Sequence, residues 1–252
     1  MAQRRRQDLI MELIQKNGFV TTEQLVEHFQ VTPQTIRRDL NQLAEQSRVR
    51  RHHGGAGIDS STVNTSYQTR KIMELEAKEH IAETLVRLIP DNASLFINIG
   101  TTTETIARAL LYHNNLRIVT NNLHVASILS AREDFNVIIA GGEVRNRDGG
   151  IVGEATRDFI NQFKMDFGII GISGIHSDGS LLDFDYREVR VAQTIIANSQ
   201  TVLLAADHSK FGRNAMVRLG DITQADHFFT DQNPPAEIQQ MLKEHDVELH
   251  VV

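Results

Sequence analysis

The chain has 252 residues and a formal net charge of −6, with 40% hydrophobic and 23% charged residues, proportions that exclude a wholly disordered or fibrous protein. It contains no cysteine, which excludes disulfides and thiolate metal sites. No apolar run approaches the roughly 18 residues of a membrane-spanning helix, so we expect a cytoplasmic protein.

The charge is divided unevenly along the chain. Residues 1–57 hold nine Lys and Arg against six Asp and Glu, a net +3, whereas the remaining residues hold 17 against 26, a net −9. A basic N-terminal part on an acidic body is typical of a protein whose N-terminal part alone meets a polyanion. Small domains also vary by a few charges, so this difference has a second, neutral interpretation.

Two helices are predicted before residue 30. Apolar residues at helical spacing, followed by Asn17-Gly18, predict a first helix over about residues 3–16. Thr21 or Thr22 can cap a second, short helix that buries its apolar residues. A turn at Gln30-Val31 ends it.

A third helix is predicted over about residues 33–46. Thr32 is a suitable N-cap, and Pro33 occupies the first helical position, where its missing N–H costs nothing. The expected buried stripe consists of Ile36, Leu40 and Leu43.

The opposite side of this third helix is polar. At 100° per residue, Gln34, Arg38 and Asn41 point away from the buried stripe, and Thr35 and Arg37 flank it. Such a surface can donate and accept hydrogen bonds along its whole length.

A short strand over Val49–His52 and a hairpin turn at His53-Gly54-Gly55 are predicted next, as a basic wing. Together these elements predict a winged helix-turn-helix, which places its second motif helix in the major groove of DNA. The alternative is a generic three-helix bundle with a solvated polar face. The candidate DNA-binding residues are Thr22, Thr32, Gln34, Thr35, Arg37, Arg38, Asn41, Arg50, Arg51, His52 and His53.

The segment TTEQLVEHFQVTPQTIRRDLNQLAEQSRVRRHHGGA resembles the N-terminal module of the DeoR-type bacterial transcriptional regulators. TxRRDL, followed by L and then RxHGGA, is far more specific than a helix-turn-helix alone. Further matches extend the resemblance over essentially the full length: INIGTTTE, IVTNN, AGGEVRNRDGGIVGEAT, GISGI, SLLDFDYREV and DHSKFGRNAMV.

The small, polar and aperiodic residues 58–71 are predicted to be an interdomain linker. They separate a DNA-binding domain, residues 1–57, from an effector-binding and oligomerisation domain, residues 72–252. In the second domain, continuously apolar runs alternate with helical patterns, which predicts an open, mostly parallel α/β fold. The resemblance implies the fold of the isomerases related to ribose-5-phosphate isomerase.

In such a fold, ligands bind at the carboxyl ends of the strands. The sequence INIGTTTE, residues 97–104, places Gly100 and three threonines where a strand turns into a helix, a suitable cradle for an anion. The alternative is that the threonines only cap the helix.

Other strand ends also carry polar or glycine residues, although ordinary turns have the same composition. The resemblance implies a phosphate loop at Gly100–Thr103 and a cation at Lys210. The candidate effector-binding residues are Gly100, Thr101, Thr102, Thr103, Asn121, Asn122, Gly141, Gly142, Arg145, Asp183, Asp207 and Lys210.

The resemblance implies a repressor of glycerol and glycerol-3-phosphate metabolism genes that glycerol 3-phosphate releases from operator DNA. The expected partners are double-stranded operator DNA, the phosphorylated inducer and further copies of the chain, in a homodimer or homotetramer. The chain has no GxGxxG or P-loop motif and no histidine spacing typical of a metal site, so we expect neither a cofactor nor a metal.

Three alternatives remain. The regulator can respond to another sugar phosphate, or it can be a DNA-binding scaffold without a ligand. It can also be a sugar-phosphate isomerase with a DNA-binding head, although residues 168–175 lack the carboxylate that proton transfer needs. Asp183 and Asp185 lie nearby in the sequence, but we expect no enzymatic activity.

Overall fold

The computed structural model describes residues 3–46, 48–52, 54–58 and 60–252. The chain divides into two compact units, Met1–Glu74 and Leu75–Val252, called the N-terminal unit and the C-terminal unit below. A short helix, Tyr67–Ile72, occupies part of the segment predicted as a linker. The functional boundaries after residues 57 and 71 stay predictions.

The elements of the N-terminal unit, within its described residues, are α1 (Gln3–Asn17), β1 (Phe19–Thr21), α2 (Thr22–Phe29), α3 (Pro33–Glu45), β2 (Arg50–His52), β3 (Gly55–Gly57) and α4 (Tyr67–Ile72). The three predicted helices and the wing strand are confirmed. β1 was not predicted, and it completes an antiparallel sheet with the order β1-β3-β2.

Gly55 lies in β3 rather than in the hairpin turn. It pairs with Thr21 of β1 and His52 of β2, and a Cβ atom at Gly55 would come within 2.4 Å of the Val20 carbonyl oxygen. A glycine is therefore needed so that β1 can pack this closely against the hairpin.

The start of α2 is set by Thr21, which forms a capping box with Gln24. Thr21 Oγ1 accepts a hydrogen bond from the Gln24 N–H, at 3.1 Å, and Gln24 Oε1 accepts one from the Thr21 N–H, at 2.9 Å. The helix ends at Phe29, and its C-cap residue Gln30 adopts the left-handed conformation with φ 52°. The cap choice left open by the sequence is therefore Thr21.

In the C-terminal unit, whose residues are all described, the helices are α5 (Leu75–Leu85), α6 (Thr101–Leu110), α7 (Leu123–Leu129), α8 (Glu154–Ile160), α9 (Tyr186–Ala197) and α10 (Ala236–Glu244). Its strands are β4 (Ser94–Ile97), β5 (Arg117–Thr120), β6 (Asn136–Ile139), β7 (Glu143–Arg145), β8 (Gly150–Val152), β9 (Met165–Gly171), β10 (Gly174–Ile175), β11 (Ser180–Asp183), β12 (Ser199–Ala205), β13 (Val217–Asp221), β14 (His227–Thr230) and β15 (Glu248–Val251). Short 3-10 helices cover Val86–Leu88, His208–Lys210 and Ile222–Gln224.

Seven strands of this fully described unit form one sheet with the order β15-β14-β12-β9-β4-β5-β6. Every neighbouring pair in it is parallel, which confirms the predicted parallel α/β fold. The antiparallel hairpin β7-β8 and the antiparallel sheet β10-β11-β13 were not predicted. Their strands are short, with two to five residues each, so they carry little periodic signal.

Both faces of the parallel sheet are covered. On β4, Leu95 and Ile97 belong to a core cluster that includes residues of α5, α6 and α7, whereas Phe96 belongs to a second cluster that includes residues of α9 and α10. This double burial explains why the strands are continuously apolar rather than alternating.

Candidate nucleic-acid interface and effector site

The first turn of α3 is organised by Thr32. Its Oγ1 accepts a hydrogen bond from the Thr35 N–H at 3.3 Å and lies 2.9 Å from the Thr35 hydroxyl oxygen. Pro33 follows at the first helical position. Thr32 thus caps the helix, as the sequence predicts.

The exposed side of α3 carries Gln34, Arg38 and Asn41, whereas Ile36 and Leu40 on the opposite side are fully buried. The two faces predicted from helical periodicity are therefore confirmed. The exposed side chains belong to an open surface concavity of about 460 Å³, lined by Gln34, Arg37, Arg38, Asn41, Gln42 and Glu45.

Arg51 of the wing lies close to Arg37 of α3. Burial and the positive charge of Arg37 both lower the pKa of Arg51 below the usual arginine value. Within the described residues, Arg51 Nη1 is buried and has no hydrogen-bond partner. Two neighbouring guanidinium groups suit an anion such as a DNA phosphate.

The remaining predicted DNA-binding residues differ in exposure. Arg50 and His52 are half-buried, and the His52 ring packs edge-on against Phe19 with centroids 5.7 Å apart. Thr22 is only 5% exposed because it begins α2 on the core side, so we expect it to support the motif rather than to contact DNA. His53 lies outside the described residues.

Asp39 is a structural residue of this motif that the sequence reasoning missed. Its carboxylate accepts hydrogen bonds from Arg6 Nε and from Gln3 Nε2, the second at 3.0 Å, and it joins α1 to α3. The Asp39 side chain is 1% exposed. The available signal was an acidic residue three positions after Ile36, on the buried side of the helix.

The candidate effector site lies at the carboxyl edge of the parallel sheet. The loops after β12, β9, β4 and β5 are neighbours there, because these strands are adjacent in the sheet. The strand order switches direction between β4 and β9, and open α/β sheets bind ligands at such a switch point.

The loop after β4 ends at Gly100, the N-cap of α6, which offers no side-chain cap. Thr101, Thr102 and Thr103 are buried in the first turn of this helix. The Thr103 hydroxyl donates to the carbonyl oxygens of Asn98 and Gly100, at 2.9 and 2.8 Å. Thr103 therefore stabilises the loop itself, and an anion would meet the N–H groups of the first turn and the other threonines.

Asn98 belongs to the INIGTTTE segment that the sequence analysis singled out, and it joins the two loops at the switch point. Its side-chain Oδ1 accepts a hydrogen bond from the Gly171 N–H after β9, at 3.0 Å, and the residue is 3% exposed. Asn98 therefore holds the loop after β4 against the end of β9.

Asn121 and Asn122, after β5, are fully buried. Asn121 Nδ2 donates to the Ile151 carbonyl oxygen at 2.9 Å, and Asn122 Oδ1 caps α7. The other amide atoms, Asn121 Oδ1 and Asn122 Nδ2, are buried without a hydrogen-bond partner in the described residues. One unsatisfied acceptor and one unsatisfied donor are suited to the hydroxyl groups of a polyol ligand.

Gly141 and Gly142 are exposed but differ in their packing. A Cβ atom at Gly142 would come within 2.1 Å of Thr156 Oγ1, whereas nothing lies within 4 Å of the corresponding position at Gly141. The Thr156 hydroxyl also donates to the Gly141 carbonyl oxygen, at 2.9 Å. Gly142 is thus needed for close packing against α8.

Arg145 is surrounded by carboxylates. Its guanidinium donates to both oxygens of Asp148, at 2.7 and 2.8 Å, and lies 3.1 Å from Asp185 and 2.6 Å from Glu188. Burial and the nearby Asp183 raise the pKa of Glu188, although Arg145 acts in the opposite direction. Arg145 and Asp183 therefore belong to an ionic cluster, so we expect them to support the site rather than to contact an effector directly.

Asp207 and Lys210, after β12, form an ion pair of 3.3 Å between Asp207 Oδ2 and Lys210 Nζ. Asp207 also accepts hydrogen bonds from the N–H and hydroxyl of Ser209. Although burial raises the pKa of Asp207, the charges of Lys210 and Lys78 lower it to about 2. Lys210 is thus held in place at the carboxyl edge by an ionised aspartate.

A concavity of about 870 Å³ lies at the opposite, amino edge of the sheet. Its carboxylates are already engaged: Asp134 pairs with Arg132 at 2.8 Å, and Asp166 accepts hydrogen bonds from the Ser94 N–H and hydroxyl. Since parallel sheets bind ligands at the carboxyl edge, we do not assign the effector to this concavity. Across the described part of the chain, no helix combines the length and apolar character required to traverse a membrane.

Similar proteins of known name extend along the whole chain. It is 58% identical over 251 residues to the glycerol-3-phosphate regulon repressor of Escherichia coli K12, with 100% of both chains covered. It is 52% identical over 249 residues to the protein of the same name from Haemophilus influenzae, covering 99% of this chain and 97% of that one. It is also 41% identical over 244 residues to the transcriptional repressor CsqR of E. coli, covering 97% and 94%.

Solved structures with similar folds are more distant. Ribose 5-phosphate isomerase A from Neisseria gonorrhoeae matches with a TM-score of 0.39 and 18% identity, over 53% of this chain and 52% of that chain. eIF2B beta from Chaetomium thermophilum matches with a TM-score of 0.45 and 14% identity, over 68% and 56%. Similarity at this level carries no conclusion about function.

Two family profiles match the chain in the same order as its two units. The DeoR-like helix-turn-helix domain matches residues 6–62, and the DeoR C terminal sensor domain matches residues 73–232. The chain therefore belongs to the DeoR family of helix-turn-helix regulators.

Proposed function

We propose that this DeoR-family protein is a sequence-specific DNA-binding repressor of glycerol and glycerol-3-phosphate metabolism genes. The observation that carries the proposal is the exposed row of Gln34, Arg38 and Asn41 on a helix whose other side is buried. The names of the relatives with 58% and 52% identity support the assignment of glycerol-3-phosphate metabolism genes as the regulated genes. Since its partner is genomic DNA, we place the protein in the cytoplasm.

The exposed row has the chemistry of base recognition. An arginine can donate two hydrogen bonds to the O6 and N7 atoms of guanine, and glutamine or asparagine can bind both the N6 and N7 atoms of adenine. Arg38 is thus a candidate guanine reader, and Gln34 and Asn41 are candidate adenine readers. Arg37 and Arg51 supply a paired positive charge for a phosphate beside the groove.

We infer that the inducer is glycerol 3-phosphate and that it binds at the carboxyl edge of the sheet. The N-terminus of α6, which lacks a side-chain cap, suits the phosphate. The unsatisfied amide atoms of Asn121 and Asn122 suit hydroxyl groups, and Lys210 adds a nearby positive charge.

Induction requires that the inducer binds one state of the protein better than another. We propose that the preferred state has DNA-binding units that do not match the operator. A coupling free energy of about 1–3 kcal/mol would weaken operator binding roughly 5- to 150-fold. Symmetric operators need paired DNA-binding units, so we expect a homodimer or homotetramer.

We further infer that the protein is a regulator and not an enzyme. Asp183 and Asp185, the carboxylates of the segment SLLDFD, are engaged elsewhere. Asp183 accepts a hydrogen bond from the Phe184 N–H, at 2.6 Å, and Asp185 binds Arg145 and caps α9. An isomerase would instead need a carboxylate open to its substrate.

The experiment uses the full chain and an operator selected by it from a random duplex pool. We expect fluorescence anisotropy to show operator binding and a roughly 5- to 150-fold loss of affinity with glycerol 3-phosphate. Glycerol, inorganic phosphate and ribose 5-phosphate are the comparison ligands. If the chain enriches no sequence from the pool, the assignment as a sequence-specific repressor is contradicted. If ribose 5-phosphate releases the operator and glycerol 3-phosphate does not, the proposed identity of the inducer is wrong. Turnover of ribose 5-phosphate in the same samples would contradict the non-enzymatic assignment.

A further inference from the structure

Three potential metal ligands converge on the last two strands of the parallel sheet. His227 of β14 pairs directly with Glu248 of β15, and His250 lies two residues further along β15. Because side chains alternate between the two faces of a strand, Glu248 and His250 share one face, and cross-strand pairing places His227 on that face too. Glu248 and His250 are two positions apart, but His227 lies 21 positions before Glu248, so no local sequence spacing predicts the set of three.

The distances between their ligand atoms match one coordination sphere. His227 Nδ1 lies 3.1 Å from His250 Nε2 and 3.3 Å from Glu248 Oε2, and His250 Nε2 lies 3.5 Å from Glu248 Oε1. A tetrahedral zinc ion holds nitrogen and oxygen ligands at about 2.0–2.2 Å, which places neighbouring ligand atoms roughly 3.3–3.6 Å apart. Only small side-chain movements would bring all three atoms to an ion.

The two imidazole nitrogens face each other at hydrogen-bond distance. Two neutral lone pairs at this separation repel, so a proton or a metal ion must lie between them. The carboxylate of Glu248 beside both rings favours a positive charge at that point. Imidazole and carboxylate ligands together suit zinc and neighbouring divalent transition metals.

The surroundings both orient the ligands and leave them accessible. The Phe229 ring stacks on His250, with centroids 4.3 Å apart and an interplanar angle of 7°. The side chains of His227 and His250 are 22% and 20% exposed, and that of Glu248 is 63% exposed. An ion can therefore enter from solvent while the stacked ring fixes one ligand.

We propose that His227, Glu248 and His250 form a binding site for Zn²⁺ or a related divalent transition metal, with a remaining coordination position for water. The ion would join β14 to β15, the edge strand of the sheet. Since only the folded sheet brings the ligands together, the bound metal would stabilise the folded C-terminal unit. This site lies outside the proposed DNA-binding and effector residues.

The test uses the full chain after treatment with a chelator that is then removed. Calorimetric titration with Zn²⁺ and the visible absorption of added Co²⁺ report stoichiometry and coordination. We expect the His227→Gln and His250→Gln variants each to bind one metal ion fewer per chain than the unsubstituted protein. If an ion still binds at this site, its affinity should be at least about tenfold lower. Thermal unfolding of the unsubstituted chain should shift upward with Zn²⁺, and this shift should be lost in both variants.

His176→Gln is the matched control. His176 Nδ1 also lies 3.0 Å from a carboxylate oxygen, that of Asp178, but the pair has no third ligand in the described part of the chain. This variant should keep the full stoichiometry. Equal stoichiometry and affinity in the unsubstituted chain and in His250→Gln would overturn the proposal, as would the absence of Zn²⁺ binding at millimolar concentration. If the histidine substitutions prevent folding, the variant Glu248→Gln, at an exposed position, is tested instead. Its metal stoichiometry, its affinity and its unfolding temperature with Zn²⁺ are compared with those of the unsubstituted chain.

Discussion

The guanidinium groups of Arg38 and Arg51 are expected to play different parts in DNA binding. Arg38→Ala should weaken operator binding by about 1–3 kcal/mol, with little change on non-specific DNA, because a base contact is lost. Arg51→Gln should weaken binding to operator and to non-specific DNA alike, because a phosphate contact is lost. The slope of log affinity against log salt concentration should then fall in magnitude by about one. Anisotropy titrations at several salt concentrations measure both effects. Equal losses on both DNAs for Arg38→Ala would make Arg38 a phosphate contact.

The buried carboxylate of Asp39 is expected to hold the N-terminal unit together. Asp39→Ala leaves Arg6 buried without its partner, which should cost about 3–5 kcal/mol. Hydrogen exchange of the α1 and α3 amides in the full chain measures this loss. The control is Asp8→Ala, which removes an exposed pair of 3.7 Å with Arg48 and should cost less than about 1 kcal/mol. Equal protection in the two variants would contradict a structural role for Asp39.

The ionised state of Asp207 predicts a pH dependence. Its pKa of about 2 in the folded chain lies below the ordinary value of 3.8, so the unfolded chain binds the proton more tightly. The resulting stabilisation is present above pH 3.8 and is lost as the pH falls towards 2. Asp207→Asn should therefore remove about 2 kcal/mol at neutral pH and flatten the pH dependence of urea unfolding between pH 2 and 4. An unchanged profile would contradict the depressed pKa.

At the scale of elements, the contact between Gly142 and α8 offers a comparison of two adjacent glycines. A methyl group at Gly142 would collide with Thr156 Oγ1 and approach the Val152 carbonyl oxygen, whereas Gly141 has open space. We expect Gly142→Ala to destabilise the C-terminal unit by about 1–3 kcal/mol and Gly141→Ala to change stability by less than about 0.5 kcal/mol. Urea unfolding of both variants measures the difference. A neutral Gly142→Ala would mean that α8 can move away from the loop at little cost.

At the scale of the whole molecule, inducer binding in one unit is expected to change DNA binding by the other. Thr102 lies in the first turn of α6, where we place the phosphate. Thr102→Ala should leave operator affinity unchanged but abolish release by glycerol 3-phosphate, because the inducer loses part of its cradle. Thr194→Ala is the control, since the Thr194 hydroxyl donates within α9, to the Arg190 carbonyl oxygen. Normal release from Thr102→Ala would remove this threonine from the effector site.

Local patterns in the sequence determined the helix-turn-helix and the parallel sheet. Helical period and capping residues are properties of a few neighbouring positions, so the two faces of α3 could be predicted from Ile36, Leu40 and their polar neighbours. The continuous apolar runs likewise predicted strands buried on both faces. Each of these inferences requires only that apolar residues be buried, which any compact fold provides.

The partners of individual polar side chains were decided by the tertiary structure. Asp39 binds Arg6, which lies 33 residues earlier, and Asn98 binds Gly171 of a neighbouring strand. Arg145 pairs with the N-cap carboxylate of α9 and with Glu188 inside that helix. The convergence of His227, Glu248 and His250 likewise depends on strand pairing. The sequence by itself thus determined which segments form helices and strands and which of their faces are buried. Which charged and polar groups meet follows from the packing of distant segments, because pairing across a sheet or between helices is set by the register of the whole fold.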